Sequence, residues 1–139
     1  MVIMIVGIAL LIGVQTFGEN KHRVNADTLM LRSIRIANKA QQWLLTPSAM
    51  GGGRPESGAS NFSGLTLDLK ILGYKVDADN KYSDINGIYS ADISGSAFVI
   101  EARSIPVSGR PDNVICVRVD GLDKDNITTD VNPEGGSCT

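Results

Sequence analysis

The side chains able to do chemistry are few. The chain has 139 residues, two cysteines (Cys116 and Cys138) and one histidine, His22. A single imidazole beside Arg23, with no Ser or Cys near it in sequence, makes neither a histidine-based metal site nor a catalytic dyad. There is no C-x-x-C-H for haem, no Cys–His pair and no arrangement of paired carboxylates. Gly51–Gly53 lacks the G-x-x-x-x-G-K-[ST] frame of a phosphate-binding loop. We therefore expect no enzyme, no catalytic residues and no cofactor. Two acidic runs stand out: DADNKYSD, with Asp77, Asp79 and Asp84, and DGLDKDNITTD, with Asp120, Asp123, Asp125 and Asp130. Hard oxygen donors at such spacing suit calcium, but neither run has EF-hand spacing, and Lys81 and Lys124 intrude. Asp and Asn are also ordinary turn formers. No metal site is expected, and Asp120, Asp123 and Asp125 are the nearest approach to a calcium set. Asn61 and Asn126 head N-x-[ST] triplets, the pattern of a glycosylation acceptor.

The cysteines make the clearest chemical statement. Cys116 lies in an alternating run, VICVRVD, and Cys138 in the terminal run DVNPEGGSCT. A disulfide between them closes a loop of about 22 residues, worth roughly 3 kcal/mol in the chain-entropy account. It also pins a tail that would otherwise fray. Such a bond implies an oxidising compartment.

The elements that must position these groups follow from patterning. The net charge is −2 and aromatic residues make up 5% of the chain, so there is neither a basic field for nucleic acid nor a stacking surface for single strands. From Met1 to Gly18 no residue is charged; Glu19, Lys21, His22 and Arg23 then arrive together. This opening lacks the basic start and the small-residue cleavage site of a secretory signal peptide, so it reads as a retained segment. It is shorter than the ~20 apolar residues of an ordinary membrane span. Packing against copies of itself gives it another refuge from water.

No proline occurs before Pro47. From Asn20 to Leu45 the pattern is amphipathic. Met30, Ile34, Ala37, Ala40 or Gln41, and Leu44 fall at helical spacing, with Arg32, Arg35, Asn38, Lys39 and Gln42 on other faces. The spacing predicts one helix from about residue 2 to residue 45, and Thr46–Pro47 ends it. Residues 46–64 read as a Gly-rich loop. Leu65–Leu72 (LTLDLKIL) fits strand and helix equally. Gly87–Ser94, Ala97–Ile105 and Val114–Asp120 alternate as strands, Ser94–Gly95–Ser96 is a tight turn, and Ile127–Val131 fits a short fourth strand. The fold class expected is α+β. A long N-terminal α-helix, apolar in its first half, packs its second half on a small antiparallel sheet at about residues 87–131. Residues 1–23 form an apolar stem and residues 24–139 a globular domain, with a disulfide region at 116–138. Met30, Ile34, Ala37 and Leu44 are the expected helix–sheet contacts.

An uncharged start, a long helix, a Gly-rich loop, an antiparallel sheet and a C-terminal cysteine pair together resemble a type IV pilin. The likeness in sequence is closest in residues 5–53, at IVGIALLIGV and IANKAQQWLLTPSAMGGG, with NGIYS at Asn86–Ser90. It resembles a divergent bacterial branch of pilin-like proteins. The resemblance implies a structural subunit of an extracellular helical filament on the bacterial cell surface, a homo-oligomer of many copies. It also implies a stay in the inner membrane before assembly, a prepilin peptidase that removes a short basic leader, and an assembly ATPase. Ile3, Ile5, Ile8, Leu10, Leu11, Ile12, Val14 and Phe17 would then form the assembly core. Common pilins begin with Phe and carry Glu at the fifth position, whereas this chain has Met1 and Ile5. The alternatives are a minor pseudopilin of a secretion system and a single-pass, membrane-anchored binding domain.

Overall fold

The structure is a computed structural model. It describes residues 2–54, 58, 60–105, 112–133 and 136–138, with side chains from residue 23 onward apart from Lys124. Among the described residues the fold is built on one α-helix and one sheet, with short 3-10 turns at Ser48–Met50 and Lys124–Asn126. Helix α1 runs Val2–Leu45. The strands are β1 Tyr82–Ser83, β2 Gly87–Ser94, β3 Ala97–Ser104, β4 Val114–Val119 and β5 Ile127–Val131. They pair in sequence order, each antiparallel to the next.

The sheet forms because β2, β3 and β4 alternate apolar and polar residues, so one face can be buried. Tyr89, Phe98, Ile100, Ala102, Ile115, Val117 and Val119 all lie on that inner face with no solvent exposure. Helix α1 covers it across β3 and β4. The covering stripe is Leu29, Ser33, Ile36, Ala37, Ala40 and Leu44, all buried. Small residues at 33, 37 and 40 let the helix approach the sheet closely. The Ser33 hydroxyl donates to the Leu29 carbonyl at 2.9 Å, which satisfies its one polar group within the helix.

The fold expected from the sequence is corrected at its main element. Among the residues whose side chains are described, the helix is the amphipathic stretch 23–45, not an apolar N-terminal helix. No helix among the described residues is long and apolar enough to cross a membrane. The physical reason is that Arg23, Asp27, Arg32, Arg35 and Lys39 punctuate this stretch, so it is half cover and half surface. The sheet has five strands, one more than expected at most. The extra strand, β1, is only two residues long. One helix plus an antiparallel sheet is compatible with an α+β class.

The face that the helix turns inward overlaps the expected stripe only in part. Ala37 and Leu44 are buried, but Met30 and Ile34 are only half-buried, and Leu29 and Ile36 go deeper. Ala37, Ala40 and Leu44 belong to both stripes, so the contact face is turned by less than the roughly 100° of a single-residue step, and it takes in Leu29, Ser33 and Ile36.

The connection from α1 to β1 is mostly turns. Gly53 N–H donates to the Trp43 carbonyl at 2.9 Å, and Trp43 Nε1 donates to the Gly51 carbonyl at 3.2 Å. A side chain on Gly53 would run into the Trp43 ring, so the loop turns back there only because residue 53 has none. LTLDLKIL is neither helix nor strand; it runs irregularly into a turn. Leu67, Leu69 and Leu72 nonetheless join Phe62 in the core.

Candidate functional site

Four places stand out, and the first three are held by identifiable bonds. On the outer face of the sheet, Cys116 and Cys138 are joined, with their Cα atoms 5.5 Å apart. Cys116 points outward because Ile115 and Val117, its neighbours on β4, point into the core. The tail is tied at two further points. Glu101 Oε2 accepts the Cys138 N–H at 3.1 Å, and Arg103 Nη2 donates to the Gly136 carbonyl at 2.5 Å. Arg103 Nε also donates to Glu101 Oε1 at 2.6 Å. Burial pushes the Glu101 carboxyl up. The hydrogen bonds from Arg103 and Cys138 and the nearby positive charge outweigh burial and hold it below the usual carboxylate value. Ser90, Asp92, Ser94, Val99, Glu101 and Cys138 line an open cleft of about 450 Å³ beside this clasp.

The second place is the corner where α1 meets the turn between β1 and β2. Asp84 Oδ1 accepts the N–H groups of Asn86 at 2.7 Å and Gly87 at 3.1 Å. Its other oxygen pairs with the Arg32 guanidinium from α1. Asn25 Nδ2 donates to the Asn86 carbonyl at 3.0 Å. Gly87 sits against Leu29 and the Arg103 carbonyl, where a Cβ has no room. The Tyr89 hydroxyl is buried beside this corner without a hydrogen-bond partner among the described residues. Burial, then the Asp84 charge, hold its phenol above the ordinary value, against the opposing effect of Arg32. Tyr74, Tyr82 and Tyr89 run ring to ring from here, with centroids 5.0 Å and 5.6 Å apart. Lys39 Nζ lies 4.3 Å from the Tyr74 ring centre. Sequence reading missed this corner, because its members come from distant segments. The one legible cue was Asp84-Ile-Asn-Gly87, a turn sequence.

The third place is the acidic loop between β4 and β5. Asp120 takes both its oxygens to Arg118 Nε, at 3.0 Å and 3.2 Å. The Asp123 and Gly121 carbonyls accept Gln41 Nε2 from the helix, at 3.1 Å and 2.7 Å. The Asn126 N–H donates to the Asp123 carbonyl at 3.0 Å. The turn docks on α1 through the backbone carbonyls of Gly121 and Asp123. No group of three His, Cys, Asp or Glu able to hold a metal occurs among the described residues. Asn61 forms a turn of its own, its Oδ1 accepting the Ser63 N–H at 3.1 Å.

The fourth place is the outward side of α1. Val24 and Leu31 are 63% and 67% exposed, and Ile85, on the turn bonded to Asn25, is 90% exposed. These are large apolar side chains that this domain leaves uncovered. The side chains of Ile3, Ile5, Ile8, Leu10, Leu11, Ile12, Val14 and Phe17 lie outside the described residues, as does that of His22. Comparison with protein-family models, with curated proteins and with solved structures finds no match.

Proposed function

We propose that this chain is a structural subunit of an extracellular helical filament of the type IV pilus kind, and not an enzyme. The observation that carries the reading is the uncharged run from Met1 to Gly18, joined to a domain whose described core is built from later residues. Among the residues whose side chains are described, residues 29–44 of α1 supply the cover of the inner face. Eighteen uncharged residues need a non-aqueous home, and sister copies supply one. The exposed Val24 and Leu31 extend the same demand onto the domain, and the disulfide suits a life outside the reducing cytosol.

The reading predicts that Ile8→Asp or Leu11→Asp abolishes filaments while the domain keeps its circular dichroism and its cooperative unfolding. A carboxylate in a dry contact between copies has no partner and costs far more than the contact returns. Electron microscopy of sheared surface material reads the outcome. Filaments at normal yield from either variant overturn the assignment. Recovery of the native chain only with membranes, never in fibres, favours a membrane-anchored binding domain instead.

A further inference from the structure

Strand β5 forms one edge of the sheet, and its backbone and side chains are complementary to themselves. Strand β5 pairs with β4 in the register Val119↔Ile127, Val117↔Thr129 and Ile115↔Val131. The Asp120 N–H donates to the Asn126 carbonyl and the Asn132 N–H to the Val114 carbonyl. Even-numbered residues of β5 therefore turn their peptide groups toward β4. Ile127, Thr129 and Val131 turn theirs outward, to the open edge. No strand follows β5 in the sheet order.

Edges of this kind are commonly blunted by Lys, Pro or a bulge, or covered by another segment. Ile127–Val131 (ITTDV) has no Lys, no Pro and no register break against β4. Among the described residues, none of the tail that follows pairs with it. Asn132 takes a left-handed conformation, φ 53°, and Gly136 and Cys138 are bonded on the outer face to Arg103, Glu101 and Cys116.

We propose that a second copy of this chain adds its β5 antiparallel to this edge, about a two-fold axis at Thr129. In that register Thr129 faces Thr129 of the other copy, and Ile127 faces Val131. All three outward residues on each strand then meet outward residues, which is what an antiparallel ladder requires. The apolar pair falls on the inner side of the sheet, where Val131 is exposed and Ile127 half-buried in one copy. On the outer side Thr128 faces Asp130. A slip of the pairing by one residue on each strand toward the C-terminus sets Asp130 against Asp130, and like charges directly opposite disfavour it. Only the Thr129-centred register forms the full ladder and pairs the two apolar residues. The contact is isologous, whereas subunits of a polar filament meet head to tail. It therefore joins separate filaments or free copies, and it does not rest on the filament reading.

The test uses the full chain carrying Ile8→Asp, which removes contacts made through the apolar start. Sedimentation should show a reversible dimer forming as concentration rises through the micromolar range, as suits a small interface. Thr129→Pro removes only an outward N–H and keeps every β4–β5 hydrogen bond. It should leave the circular dichroism unchanged and weaken dimerisation at least tenfold. Thr129→Cys should oxidise to a disulfide-linked dimer, because facing residues of such a pair lie within bridging distance. Ser63→Cys, on an exposed turn, should cross-link far less. A monomer at all concentrations overturns the proposal. So does a dimer indifferent to Thr129→Pro in a folded protein, or cross-linking no better at 129 than at 63. If Thr129→Pro unfolds the chain, the cysteine comparison decides by the same rule.

Discussion

On the inner face of the sheet, Phe98, Ile100, Ile115, Val117 and Val119 lie under α1 with no access to solvent. On the outer face the same strands carry Ser90, Asp92, Glu101, Arg103 and Cys116, and a short tail lies over part of them. The inner face is held by non-directional burial spread over many side chains. The outer face is held at three points: one covalent bond and two charge-assisted hydrogen bonds. A packed face loses stability in proportion to the volume removed from it. A clasped face loses its cover when one fastening is cut, while the strands beneath persist.

That difference can be broken by substitution, and the largest effect should come from the packed side. Ile100→Ala is expected to cost about 3–4 kcal/mol in denaturant unfolding, through lost burial plus the cavity left behind. A cost below 1 kcal/mol would mean that α1 does not press on β3 as described. Cys138→Ser comes next, at roughly 3 kcal/mol in the chain-entropy account. Its signature is local: early proteolysis of the tail after residue 132, with slower cleavage elsewhere. Equal protease resistance in variant and parent would show that the disulfide holds nothing down.

Acid should then loosen the clasp selectively. Glu101 has a folded value held below its unfolded one. Its contribution is fully present above the ordinary carboxylate value and fades as pH falls through the lowered value. Glu101→Gln should flatten that acid-side loss and leave stability at pH 9 lower than the parent's. An unchanged pH profile would remove Glu101 from the clasp. The smallest effect is expected at Tyr89→Phe. Its hydroxyl is buried without a partner among the described residues, so removing it should change stability by less than about 0.5 kcal/mol or raise it. A loss above 2 kcal/mol would show that the hydroxyl is bonded in solution and belongs to the Arg32–Asp84 corner.

Strands β2 to β5 were legible because period-two alternation is a local signal. GIYSADIS, AFVIEARS and VICVRV each state which face is apolar, and the turn at Ser94–Gly95–Ser96 sets the first register. Strand β1 was not legible: two residues, Tyr82 and Ser83, carry no period. LTLDLKIL misled in both directions. Its leucines are core residues, but they reach the core from turns, held by Asp68 Oδ1 accepting the Ile71 N–H at 2.8 Å. The polar corner was invisible for a different reason. Arg32 and Asp84 are ordinary surface residues until the helix and the turn meet.

By itself the sequence determined the alternation of the strands, the end of the helix at Thr46–Pro47, the uncharged start and the presence of just two cysteines. These are consequences of residue type and near-neighbour spacing. Tertiary structure decided which stripe of α1 turns inward, because the sheet accepts the face with Ser33, Ala37 and Ala40 and leaves Val24 and Leu31 outside. It decided that Asp84 meets Arg32, that the acidic loop docks on Gln41, and that β5 ends the sheet with its edge open. Each of those depends on segments far apart in the chain arriving at one place, and only the packing of the whole domain sets where that is.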